Sequence, residues 1–177
     1  MIDLELTEPH HVTAGYTGVP GDRTFFVQAE DTAELVTLTL EKSQVTGLGE
    51  LLAQLLARVD DAPATDWDRG AMELRIPIEP RWRVGAIQVG LDPERGRFVL
   101  EFAELQFAEP GDEFTADEPE PREVRIWADQ DQARRLAAHC AEVVGEGRPR
   151  CQLCARPTAP DGSHVCPATN GHGKLSR

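Results

Sequence analysis

The sequence predicts an α+β body, a mostly antiparallel sheet with two helices on one face, followed by a small cysteine-bearing tail. Three features predict it. Short runs rich in β-branched and aromatic residues are bounded by Gly/Pro turns, two amphipathic stretches carry helical spacing, and four potential metal ligands cluster near the end of the chain. At 177 residues the chain has room for one ordinary hydrophobic core and an appendage. Residues 1–147 are therefore read as the body and 148–177 as the tail.

The first strand is expected over residues 3–7, where Leu4 and Leu6 alternate with acids. Residues 8–23 contain Gly15, Gly18, Pro20 and Gly21 and read as a loop. The tandem His10-His11 inside it has no spaced partner and reads as solvated. Residues 24–30 and 35–42 flank a short polar link and read as a hairpin. Ser43 then stands as N-cap of a helix reaching Val59, whose Val45, Leu48, Leu52, Leu55, Leu56 and Val59 form one apolar stripe. Gly47 and Gly49 weaken its first turns.

A loop over residues 60–70 leads to a strand at 72–78, placed at an edge by Pro77. Residues 82–91 and 97–107 form a second hairpin around the turn Asp92-Pro93-Glu94-Arg95-Gly96. Residues 109–123 hold seven acids and three prolines. Such a composition buries too little apolar surface to offset its ordering entropy, so 109–121 is expected to be a mobile acidic loop. A last strand at 123–128 enters a helix to about Val144, capped by Asp129 with Gln132 at the capping-box position. Ala133, Leu136, Ala137, Cys140, Val143 and Val144 share one face of it, so Cys140 reads as a small buried hydrophobe and not as a ligand. Residues 23–56 and 97–144 each read strand, strand, helix, which points to an internal ββα duplication.

Charge is unevenly placed. The net charge is −13, yet residues 148–177 carry Arg148, Arg150, Arg156, Lys174 and Arg177 against Asp161 alone. An acidic body repels nucleic acid and anionic membrane at long range, and only the basic tail could touch phosphate. No apolar run approaches the roughly 20 residues that span a bilayer, and the first residues lack the charged and apolar regions of a signal peptide. The expected location is the cytoplasm.

The strongest chemical signal is Cys151-Gln-Leu-Cys154 followed by His164-Val-Cys166-Pro167. Zinc takes four tetrahedral thiolate and imidazole ligands, and a Cys-x2-Cys turn aims backbone amides at its sulfurs. Nine residues separate Cys154 from His164, with Pro157, Pro160 and Gly162 among them, enough for a return loop. The predicted ligands of a structural zinc are Cys151, Cys154, His164 and Cys166, with His172 as the alternative imidazole. A redox pair is disfavoured because the flanks are Arg-Pro-Arg and Ala-Arg-Pro, not a strand entering a helix. A catalytic zinc is disfavoured because the tail has no Glu to serve as base.

A second, weaker set of residues concerns an anion. Gly18 and Gly21 expose backbone N–H groups beside Arg23, and Arg81 and Arg83 project to one face of their strand. This matches neither the dinucleotide fingerprint nor a Walker loop. No residues combine as nucleophile and base, so no catalytic residue is named.

The run of residues 18–29 (Gly-Val-Pro-Gly-Asp-Arg-Thr-Phe-Phe-Val-Gln-Ala), residues 79–85 (Glu-Pro-Arg-Trp-Arg-Val-Gly) and the ending Gly147-Arg-Pro-Arg-Cys-Gln-Leu-Cys154, with His164-Val-Cys-Pro167 and Asn170-Gly171, resemble an actinobacterial family described as domain of unknown function 3090. The resemblance spans nearly the full chain. It implies a cytoplasmic protein of unassigned activity, in a gene setting shared with a phosphomutase-like phosphatase and a kinase-like protein. It carries over no catalytic residue. His172 stands where such relatives tend to have an aromatic residue, which favours His164 as the ligand. Three readings follow: a binding or adaptor protein whose zinc tail organises a surface for a protein partner; a ligand-binding subunit or enzyme acting on an anionic, phosphorylated metabolite; and, lowest, nucleic-acid contact through the basic tail.

Overall fold

Two three-stranded meanders, each closed by a helix, account for most of the chain. The computed structural model describes residues 2–59, 68–106 and 120–145, together with residues 151, 153, 154, 158 and 166. After β1 (Ile2–Leu6), the first meander runs β2 (His11–Val19), β3 (Asp22–Glu30) and β4 (Leu35–Leu40) into α1 (Lys42–Val59). The second runs β5 (Val84–Asp92), β6 (Arg97–Glu104) and β7 (Glu123–Ala128) into α2 (Gln130–Gly145). The fold is α+β, antiparallel-rich, with two helices.

The strands divide into two sheets, β1-β7-β6-β5 and β2-β3-β4. Within each meander the pairing is antiparallel. The parallel contacts come from the segments that lead into the meanders. β1 lies parallel to β7, the last strand of the second meander, with Leu6 opposite Ile126. Residues 81–83 lie parallel to β4, the last strand of the first, through a bridge of Thr39 with Arg83. That bridge includes hydrogen bonds from Arg81 N to Thr37 O at 2.9 Å and from Thr39 N to Trp82 O at 3.0 Å. Each half therefore lends its leading segment to the other.

The registers superpose the halves residue by residue. Phe25 faces Leu40 as Phe98 faces Ala128, and Tyr16 faces Phe25 as Leu91 faces Phe98. The helix starts obey the same correspondence. Glu41 N donates to Gln44 Oε1 at 2.8 Å, and Asp129 N donates to Gln132 Oε1 at 2.9 Å. Each glutamine then spends its amide nitrogen on the segment entering the opposite meander: Gln44 on Val84 O at 3.0 Å, Gln132 on Pro9 O at 2.6 Å. The duplication is thus a βββα unit with exchanged leading segments.

One core serves both halves. Leu6, Trp82 and Val84 join Val27, Leu38, Leu100, Phe102 and Ile126 from the strands and Val45, Leu48, Leu52, Leu136, Ala137 and Cys140 from the helices. α1 and α2 pack on each other, α1 also on β5 and α2 also on β2, so helix packing is exchanged too. Among the described residues no helix is long and apolar enough to cross a membrane.

Several sequence expectations need correction. Residues 8–23 are not a loop: they contain β2, with Gly18 (φ 92°) near its end, and a tight hairpin turn with Gly21 (φ 100°), both at positive φ that a side chain resists. The strand is hidden because its inner face offers Val12, Ala14 and the partly buried Tyr16, while His11, Thr13 and Gly15 carry the other. His11 is not solvated but 6% exposed. Ser43 is not the N-cap; Gln44 and Val45 donate to Glu41 O at 3.0 and 3.1 Å, two residues earlier. Residues 72–78 form no strand; a 3-10 turn (Arg69–Met72), capped by Asp68, precedes irregular chain that lies over β2 and β3. There Thr13 Oγ1 donates to Met72 O at 2.5 Å, and Gln28 Oε1 accepts from Arg75 N at 2.7 Å. Val59, assigned to the apolar stripe, is exposed at the end of α1. The acidic stretch 109–119 lies outside the described residues.

Candidate metal centre

α2 ends at Gly145, and the three tail cysteines lie beyond it. Their Sγ atoms fall within 4.8 Å of one another, the only such convergence of possible metal ligands among the described residues. Cys151 Sγ and Cys166 Sγ stand 3.8 Å apart. A disulfide would need about 2.05 Å. Two sulfurs on one tetrahedral zinc, each about 2.3 Å from it, would be separated by about 3.8 Å. The spacing therefore fits metal-bridged thiolates and excludes a covalent bond between them.

Local backbone prepares the thiolate. Leu153 N donates to Cys151 Sγ at 3.4 Å, the amide-to-sulfur contact expected of a Cys-x2-Cys turn. Hydrogen bonding by the Cys154 and Leu153 backbones holds the Cys151 thiol below its ordinary pKa, and partial desolvation opposes this less strongly. Cys166 is buried, Cys151 and Cys154 are half-buried, and Leu153 at the turn is 69% exposed. Thr158, within the return loop, is also buried. Nothing in its residue type marks it in the sequence.

Cys140 stays apart from this cluster, in the core between α1 and α2, where burial pushes its thiol up to about 12. His164, His172, Arg148, Arg150, Arg156 and the expected boundary at residue 147 lie outside the described residues. The donor set brought together is three cysteine sulfurs, which together could hold a metal ion.

The glycine and arginine residues singled out for an anion lie in the body. Gly18 and Gly21 shape the β2–β3 turn, and Arg23 stacks on the Tyr16 ring with its Cζ 3.8 Å from the centroid. Arg81 pairs with Glu34, and Arg83 pairs with Glu41 at 2.9 Å. β4 stands between β3 and residues 81–83, which sets Arg23 about two strand spacings, roughly 10 Å, from the line of the other two arginines.

Neither the curated proteins nor the solved structures contain a match to this chain. A family model does match, over residues 4–166, a span that takes in both meanders, both helices and all three clustered cysteines. On that match the chain belongs to the family described as Protein of unknown function (DUF3090).

Proposed function

We propose that Cys151, Cys154 and Cys166, completed by His164, bind one structural zinc ion, and that the protein is a cytoplasmic binding or adaptor protein whose zinc-held tail presents a surface to a protein partner. The observation that carries this reading is the convergence of three sulfurs within 4.8 Å, with the 3.8 Å spacing of a tetrahedral edge. The exposed Leu153 at the tip of the turn supports it, because a closed thiolate site that holds an apolar side chain in solvent suits contact better than catalysis. Zinc at such a site acts on folding: ligation energy replaces the apolar burial that a short, Pro-rich tail cannot supply.

Native mass spectrometry of the freshly purified chain tests the reading. One zinc per wild-type chain is expected, none in Cys151→Ser, a severe loss of affinity in His164→Ala and unchanged affinity in His172→Ala. An intact wild type without zinc under reducing conditions would refute the proposal. Retention of zinc by His164→Ala with loss in His172→Ala would transfer the fourth ligand to His172.

A further inference from the structure

A cleft of about 290 Å³ opens where the start of β2 meets the first turns of α2 and the 3-10 turn (Arg69–Met72). Among the side chains lining it are His11, Asp68, Asp131, Gln132, Arg134 and Arg135. Most of these are committed. Gln132 caps α2 and reaches Pro9 O, Arg134 pairs with Asp131 at 3.1 Å, and Asp68 accepts from Gly70 N at 2.9 Å.

Two groups are left over. Arg135 is exposed, and no ion pair engages it among the described residues. His11 is 6% exposed, its ring bonds to the Glu73 backbone, and its Nε2 has no hydrogen-bond partner among the described residues. A buried polar atom without a partner is costly and rare in a folded chain. Its presence at the wall of a polar cleft points to a group that arrives from outside.

The duplicated architecture supplies an internal control. By the strand and helix registers, His11 corresponds to Ala86, Asp131 to Ser43 and Arg135 to Gly47. The second junction keeps the capping glutamine and its reach to the opposite meander, and does without the imidazole and the guanidinium. Those two groups are therefore surplus to holding the junction together.

The chemistry of the cleft narrows the ligand. The ligand atoms of His10, His11, Asp68 and Asp131 form no converged group of three among the described residues, so the cleft is not built around a protein-held metal. A volume of about 290 Å³, at the low end of small-molecule sites, suits a small ligand better than a nucleotide or a peptide. Arg135 calls for an anionic group, and a neutral imidazole offers one ring nitrogen as an acceptor to a donor. We propose that this cleft binds a small hydroxyl-bearing anion, with its carboxylate or phosphate on the Arg135 guanidinium and its hydroxyl donating to His11 Nε2.

The cleft takes no residue from the cysteine cluster, so the zinc reading and this one stand or fall separately. Isothermal titration calorimetry of the full chain compares L-malate with succinate and glycerol 3-phosphate with propyl phosphate. At least one hydroxyl-bearing anion should bind saturably, and the arm that responds tells a hydroxycarboxylate from a phosphate ester. Its hydroxyl-free counterpart and the surface variant Arg135→Ala should each bind about tenfold more weakly. In spectra of ¹⁵N-labelled imidazole the His11 Nε2 resonance should move on saturation, a readout that needs no core substitution. Absence of saturable binding to both hydroxyl-bearing probes would overturn the proposal. So would binding that is indifferent to Arg135→Ala, or that leaves the His11 Nε2 resonance in place.

Discussion

Burial, with the Arg75 guanidinium and His10 adding to it against an opposing Glu30, holds the His11 imidazole below its ordinary pKa of 6.5. The unfolded chain therefore takes up a proton at His11 at a pH where the folded chain does not. Stability from this group is fully present above 6.5 and is lost as pH falls through the folded value. Urea unfolding at pH 7.5 and pH 5.5 should show a smaller acid-side loss in His11→Gln than in wild type, and equal losses would contradict the assignment. The same residue shows what single positions concealed. The cysteines were legible because ligand chemistry resides in residue type and spacing. Cys140 was legible because it falls on a helical stripe. His11 was not, because the chain that covers it lies about sixty residues further along, at residues 69–75.

Within elements, α1 carries two glycines whose surroundings differ. A Cβ at Gly47 would meet nothing within 4 Å, whereas one at Gly49 would lie 2.8 Å from Cys140 Cβ and 3.2 Å from Ala137 O. Helix propensity favours Ala over Gly by about 1 kcal/mol at either position. Overpacking a close helix contact costs about 1–3 kcal/mol. Gly47→Ala should therefore raise the unfolding free energy measured in urea by about 1 kcal/mol, and Gly49→Ala should lower it by a similar amount. Both helices were readable from their 3.6-residue stripes, and α2 from its Asp129–Gln132 capping box, realised with Gln132 N donating to Asp129 Oδ1 at 2.7 Å. β2 was unreadable because glycine and polar residues fill the face that lies under residues 69–75, where small side chains are what the close cover requires.

Across the whole molecule, the two halves are joined by an exchange of segments. β1 completes the second half's sheet, residues 81–83 border the first half's, and the helices bury their apolar faces on each other. Neither 2–59 nor 68–145 expressed alone should show a cooperative thermal transition by circular dichroism, and mixing the two should restore one. A cooperative melt of either fragment by itself would contradict this. The sequence carried the strand, strand, helix rhythm of both halves. It could not carry the exchange, since β1 pairs with residues more than a hundred positions further on, residues 81–83 border β4 of the other half, and neither contact depends on a local pattern. That pairing sets an order of events during synthesis. Leu6 finds its partner only when Ile126 has been made. At ribosomal rates β1 therefore waits on the order of ten seconds as a short amphipathic strand without its neighbour. The first meander must hold its shape meanwhile, or be held for it, until the end of the second arrives to receive that strand.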